Sequence, residues 1–170
     1  DDYADFLWDI GDYKNAKKYY NLAIDAAADD PVYKCNYALF LQDYGEHKQA
    51  LEYFIEAMNL DKDDPDYVSH CAYSYAQLKE FENAHTYYLK AIQMDDGKSQ
   101  IFFCDYAIFL CESIGDMEKA KIYFMKAMEI EPDHHYPYCR YARMLRDYVG
   151  DYGESERYFL KSLDIYDKGA

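Results

Sequence analysis

Residues 36–45 read NYALFLQDYG, and residues 105–115 read DYAIFLCESIG. Both stretches contain a Tyr-Ala pair, then a Phe-Leu pair, and both end on a glycine. Self-similarity of this kind is the sequence signature of a repeat architecture. The two phrases therefore indicate that the fold is built from copies of one short unit.

Ladders of small residues run through the whole chain with nearly one period. The first ladder is Ala4, Ala38, Ala72, Ala107 and Ala142, at steps of 34, 34, 35 and 35. The second is Ala16, Ala50, Ala84, Ala120 and Ser155. The third is Ala23, Ala57, Ala91, Ala127 and Ser162, and an aromatic pair shortly precedes each of its members. Agreement between independent ladders predicts five copies of the unit.

Each copy divides into two helical patterns. In the second copy, Tyr37, Leu41 and Tyr44 recur at helical spacing, Gly45 interrupts the pattern, and Ala50 resumes it. The unit is therefore predicted to be a helical hairpin, which buries its apolar stripe only against neighbouring hairpins.

A glycine stands at the turn of four copies, but the third copy has Lys79 there. Lys79 either avoids the left-handed conformation or carries roughly 1 kcal/mol of strain.

The period and the Ala-x3-Phe/Tyr-x2-Ala frame resemble the tetratricopeptide repeat family over nearly the whole chain, although Tyr-Ala replaces the family's Trp and Leu-Gly signature. The resemblance implies an all-α fold, a right-handed superhelical solenoid whose first helices line a concave groove. It implies one domain, 1–170, of about five repeats with the first truncated. The predicted repeats are 1–30, 31–64, 65–98, 99–134 and 135–168.

Composition narrows the classes of partner. The net charge is -15, with 33 acidic and 18 basic residues, so phosphate backbones and anionic lipid surfaces are repelled. We therefore expect neither nucleic acid nor membrane as a partner. The five cysteines are an odd set without a CxxC pair, and the start DDYADFLWD is not a signal peptide. These features predict an intracellular, cytoplasmic protein.

Motifs of catalysis are missing from the sequence: it has no Gly-rich phosphate loop, nucleophile elbow or HExxH helix. His134, His135 and Cys139 offer three metal-ligand types, but a solvated inter-repeat loop explains the histidine pair more simply. The sequence predicts a non-enzymatic protein without metal or cofactor.

The resemblance places two residues of each first helix in the groove. These are Asp2 and Asp5, Asn36 and Leu39, His70 and Tyr73, Asp105 and Ile108, and Arg140 and Arg143. Arg146 continues the arginine series at three-residue intervals. The predicted partner-binding set comprises the groove residues from Asp5 to Arg143, together with Arg146. The set is acidic in the first repeat and basic in the last.

Two interpretations of the arginine stripe stay open. The stripe is suited to clamping an acidic residue or phospho-residue of a bound peptide. Alternatively, its arginines pair internally with Asp105 and Glu112 on the preceding first helix.

Two functions follow from these expectations. The first is a protein-interaction adaptor that binds a peptide or helix of a partner in the groove. The alternative is a structural assembly unit, because Leu163 and Ile165 of the last hairpin occupy positions that a following helix should bury. That hairpin is expected to mediate self-association, or the chain to be a fragment of a longer scaffold or of the regulatory arm of a multidomain protein.

Overall fold

A computed structural model describes residues 2–169, and this part of the chain is helical without a strand. In order, the helices are α1 (Asp2–Asp9), α2 (Tyr13–Ala26), α3 (Pro31–Asp43), α4 (His47–Leu60), α5 (Pro65–Gln77), α6 (Phe81–Met94), α7 (Gln100–Phe109), α8 (Met117–Ile130), α9 (His135–Met144) and α10 (Tyr152–Gly169). Consecutive helices pair as hairpins, beginning with α1 and α2. The predicted all-α repeat fold is confirmed.

Capping residues begin the first helix of each hairpin after the first. Asp30 accepts a hydrogen bond from the backbone N–H of Val32 at 2.9 Å, and Asp64 accepts one from Asp66 at 2.8 Å. A proline occupies the first helical position of both α3 and α5, where its missing N–H costs nothing. Ser99 caps α7 in the same way. The segments between copies therefore start helices as well as ending them.

The turns inside the hairpins use the left-handed conformation. Gly11, Gly45, Gly115 and Gly150 all have positive φ, as the sequence pattern predicts. Lys79 also adopts it, with φ 63°. Of the two possibilities for Lys79, the strained one is therefore the one that occurs.

Short π-helical turns end the first helices of the last two hairpins, at Leu110–Ile114 and Leu145–Val149. In these two hairpins, the first-ladder residue and the second-ladder residue are 13 positions apart, for example Ala107 and Ala120. In the first three hairpins the separation is 12 positions. The Asp116 N–H donates to the Leu110 carbonyl, six residues back, whereas the Glu46 N–H donates to Leu41, five back. The π turn therefore absorbs the extra residue inside the helix.

The described chain groups into two compact units, one up to Tyr87 and one from Tyr88 onward. In the first unit, the ladder residues Ala16, Ala38 and Ala50 are inaccessible to solvent. Their small side chains let helices approach closely, and the rings of Tyr20 and Phe40 pack beside them with centroids 5.2 Å apart. The core of this unit is therefore aromatic.

The second unit repeats this packing with its own residues. The ring centroids of Tyr88 and Phe109 are 5.3 Å apart, and those of Phe124 and Tyr141 are 5.8 Å apart. Tyr20, Phe54, Tyr88 and Phe124 all stand four residues after a second-ladder alanine, and all are buried. One position in the repeat thus supplies the central ring of each core segment. None of the helices in residues 2–169 combines the length and apolarity needed to cross a membrane.

Candidate functional site

A cleft opens in the second unit between the first helices of the last two hairpins. Its volume is about 160 Å³. It is lined by Ile108, Cys111, Glu112, Phe124, Arg140, Arg143, Met144, Asp147 and Tyr148. Both π turns contribute lining residues, and such turns within α-helices are frequent at functional sites.

The floor of the cleft is apolar. Cys111, Phe124 and Met144 are buried there. Burial, together with the smaller effect of the Glu112 charge, raises the pKa of Cys111 to about 11, although Arg140 acts in the opposite direction. The thiol is therefore protonated at neutral pH and serves as a small apolar surface rather than as a nucleophile.

Two arginines stand over this floor with little internal pairing. The Arg140 Nη2 lies 3.8 Å from the Glu112 Oε1, which is an ion pair too long for a hydrogen bond. Arg143 is exposed, and no carboxylate in residues 2–168 lies within 4.0 Å of its guanidinium. The rim of the cleft therefore presents guanidinium groups with donors to spare.

Arg146, the third member of the stripe, lies apart from the cleft. Its Nε and Nη2 donate to the two carboxylate oxygens of Asp147 at 2.6 and 3.0 Å. Its guanidinium lies 5.7 Å from the ring centroid of Phe159. The hydrogen bond from Arg146 lowers the pKa of Asp147, and Arg143 contributes a smaller electrostatic effect. Asp147 is therefore ionised and already neutralised by Arg146.

Two members of the stripe form internal ion pairs, with different partners. Arg140 leans towards Glu112, as internal pairing requires, but Arg146 takes a partner on its own helix. Ile108 lines the cleft, whereas Asp105 does not. Burial raises the pKa of Tyr136, and the charge of Asp105 acts in the same direction.

The predicted groove residues of the first unit are engaged in packing to different degrees. Asp5 accepts a hydrogen bond from the Tyr20 hydroxyl. The His70 ring stacks on Phe54 with centroids 5.0 Å apart, and burial lowers the pKa of His70. Tyr73 is 43% exposed. Asn36 is half-buried, and half-buried Leu39 packs against the core.

The sequence did not single out four of the lining residues: Phe124, Met144, Asp147 and Tyr148. In the sequence, Cys111 is distinguished only as one of five cysteines. The available signal was the spacing of 13 residues between ladders, which marks the two copies that flank the cleft. That spacing does not reveal whether the extra residue lengthens a loop or a helix.

The histidine pair considered as metal ligands has another role in the structure. The Nδ1 of His134 accepts a hydrogen bond from the Tyr136 N–H at 3.4 Å at the start of α9, and its ring stacks on His135. Among the described residues, no three His, Cys, Asp or Glu side chains are grouped to hold a metal ion.

Comparison with known families agrees with the hairpin pattern. A family model described as "YpiA-like, C-terminal tetratricopeptide repeats" matches residues 2–64 and 65–134. The chain belongs to the tetratricopeptide repeat family. The family prediction made from the ladders is therefore confirmed.

Solved structures of repeat proteins are similar in fold. TTC0263 of Thermus thermophilus, a thermophilic tetratricopeptide repeat protein, is 16% identical with a TM-score of 0.81, over 97% of this chain and 89% of that one. MamA is 19% identical with a TM-score of 0.70, over 98% and 95%. YrrB, described as having an unusual peptide-binding site, is 15% identical with a TM-score of 0.60, over 96% and 83%. No curated protein sequence matches significantly.

Proposed function

We propose that this tetratricopeptide repeat chain is a protein-interaction module, and that the cleft between α7 and α9 receives an acidic side chain of a partner peptide. The observation that carries the proposal is the pair of guanidinium groups of Arg140 and Arg143 over an apolar floor. A guanidinium binds a carboxylate through two parallel hydrogen bonds, and a partly enclosed site strengthens them.

The dimensions of the cleft limit what enters. A volume of about 160 Å³ admits one side chain of moderate size and no folded element. Cys111, Phe124 and Met144 would contact the methylene groups of a glutamate while the arginines hold its carboxylate. Tyr148, half exposed at the rim, offers a ring to the neighbouring peptide residue. The peptide-binding site of YrrB is consistent with such a use of this fold.

Selection from a random peptide display library tests the proposal. The immobilised wild-type chain should enrich peptides that share one acidic position flanked by apolar residues. Changing that acidic residue to its amide should weaken binding about 10- to 100-fold, since a hydrogen bond to a charged group contributes about 1.5–3 kcal/mol. The Arg140→Ala/Arg143→Ala variant should show a loss of similar size.

A charge-matched variant controls for the general loss of positive charge. Arg157 and Lys161 lie on α10 and do not line the cleft, so Arg157→Ala/Lys161→Ala should bind the selected peptides as the wild type does. Enriched peptides without a shared acidic position would overturn the proposal, and so would equal binding to both double variants.

A second candidate function, a structural assembly unit, is supported by a separate observation. Leu163 of the last hairpin is 55% exposed, whereas at the same repeat position Met128 is 7% exposed and Ile24, Met58 and Ile92 are half-buried. An apolar side chain that is more exposed than its counterparts favours association with a further helix. A molecular mass that rises with concentration in sedimentation equilibrium would support this function.

A further inference from the structure

Glu112 places a carboxylate of the chain itself in the cleft between α7 and α9. Its Oε1 lies 3.8 Å from the Arg140 Nη2, which is within the range of an ion pair but too long for a hydrogen bond. The Glu112 side chain is 51% exposed, whereas that of Arg140 is 25% exposed. The carboxylate is therefore held loosely and can turn towards solvent when a ligand binds Arg140.

Charged side chains of both signs stand in and beside the cleft. Arg146 and Asp147 are joined by two hydrogen bonds, so their charges cancel. Arg140, Arg143 and Glu112 remain, and their two positive charges and one negative charge leave a net charge of +1. One carboxylate neutralises that charge. A phosphate monoester carries about −1.5 to −2 at neutral pH, so it would leave an excess of negative charge beside Glu112.

The hydroxyl of Tyr148 shows how the rim of the cleft responds to an added negative charge. Burial raises the pKa of Tyr148, and the charge of Glu112 acts in the same direction more strongly than Arg140 acts against it. A negative charge on this oxygen is therefore repelled by Glu112 more than it is attracted by Arg140. A ligand with two negative charges meets the same repulsion where it reaches the rim.

We infer that Glu112 is a specificity-determining residue, which makes the cleft select a carboxylate side chain and reject a phosphorylated one. The inference rests on the proposed binding of an acidic side chain and names the class of acid. Glu112 competes with any anion for Arg140, and it repels the second charge of a phosphate in addition. Glutamate and phosphoserine side chains are similar in length, so the cleft volume of about 160 Å³ does not distinguish them, whereas charge does.

Three synthetic peptide pools test this inference with the full chain. Each pool has randomised flanking positions and one fixed central residue, which is glutamate, phosphoserine or glutamine. Retention of each pool on the immobilised protein is measured at neutral pH and at one fixed salt concentration. We expect the wild type to retain the glutamate pool more strongly than either of the other two pools.

Glu112→Gln removes the charge and keeps the shape of the side chain. This variant should retain both acidic pools more strongly than the wild type does. The ratio of retention should shift about 5-fold towards phosphoserine, since the repulsion between two partly exposed charges is removed. Glu112 is more than half exposed, so the fold is retained, which circular dichroism checks. Glu129→Gln is the matched control, because Glu129 is exposed on α8 and does not line the cleft, so the ratio should stay at the wild-type value.

The other outcomes separate this inference from the function on which it rests. If the wild type retains neither acidic pool better than Arg140→Ala/Arg143→Ala does, both are overturned. If the wild type retains the phosphoserine pool as strongly as the glutamate pool, the cleft binds acidic side chains but does not select a carboxylate. A ratio that is unchanged in Glu112→Gln, or that shifts equally in Glu129→Gln, overturns the role of Glu112 and leaves the proposed function standing.

Discussion

Lys79 stores strain at a single residue. It is one of two non-glycine residues with positive φ among residues 2–169, and the equivalent turn positions elsewhere hold glycine. A side chain in the left-handed region costs about 1–2 kcal/mol, because its Cβ approaches the following carbonyl oxygen. The Lys79 N–H still donates to the Ala76 carbonyl at 3.0 Å, so the turn keeps its hydrogen bond.

Lys79→Gly is expected to raise the free energy of unfolding by up to about 1 kcal/mol, because relief of strain exceeds the added entropy of the unfolded glycine. Urea unfolding followed by circular dichroism measures the change. The matched reverse exchange, Gly45→Lys, should lower stability by a similar amount, because Gly45 has φ 86° and open space around its Cβ position. Equal stability of the Lys79→Gly variant and the wild type would contradict the strain argument.

His70 links stability to pH. Burial against Phe54 lowers its folded-state pKa below the unfolded value of about 6.5, so the unfolded chain binds the proton more readily. Its contribution to stability is therefore complete above about pH 6.5 and is lost as the pH falls through that value towards the folded pKa. His70→Phe should flatten the decline in the free energy of unfolding between about pH 7 and 5.

Tyr73→Phe on the same helix is the control, because a tyrosine hydroxyl does not titrate in this range. It should leave the pH dependence unchanged. If the free energy of unfolding of His70→Phe depends on pH as steeply as that of the wild type, the burial of His70 does not cause this dependence.

Within the helices, the burial of a side chain follows its position in the repeat more closely than its local sequence. Tyr20, Phe54, Tyr88 and Phe124 stand at one position and are all buried, although the residues that follow them differ. The ladders predicted the five hairpins because small residues at close helix crossings leave a readable spacing. They did not predict the π turns, because an extra residue is accommodated equally well by a loop or by a helix, and sequence spacing is the same in both cases.

The position four residues after the second-ladder residue is tested inside the array by Phe54→Ala and in the last hairpin by Phe159→Ala. Phe54 is inaccessible to solvent, so its truncation should cost about 3–5 kcal/mol of unfolding free energy. Phe159 is half-buried, so its truncation should cost about 1–2 kcal/mol. Thermal and urea unfolding of the two variants check the difference. Equal losses would show that the equivalence of repeat positions does not extend to energetics.

At the scale of the whole molecule, stability in a repeat array comes from contacts between neighbouring hairpins. α1 and α10 each expose a face that inner hairpins bury. Amide hydrogen exchange is therefore expected to be fastest in α1 and α10 and slowest in α4 and α8. Mass spectrometry of exchanged peptides measures this gradient in dilute protein. Uniform protection along the chain would contradict it.

The candidate site was predictable only in part. The arginine stripe and the nearby Glu112 could be inferred from spacing, and the structure places Arg140, Arg143 and Glu112 around one cleft. The separation of Arg146 from Arg140 and Arg143 could not be inferred, because it depends on the π turn and on a side-chain hydrogen bond to the adjacent Asp147. The sequence shows that Arg146 and Asp147 are adjacent, but it does not determine the rotamers that bring their side chains together.

The π turns also determine how relatives of this chain should be aligned. Asp116 caps α8 as Asp12 caps α2, so the hairpin turn itself has an unchanged length. An alignment gap placed in that turn would shift Cys111 and Glu112 out of register with their true counterparts. The gap belongs within the helix, and with it there, copies of different length share one set of equivalent positions.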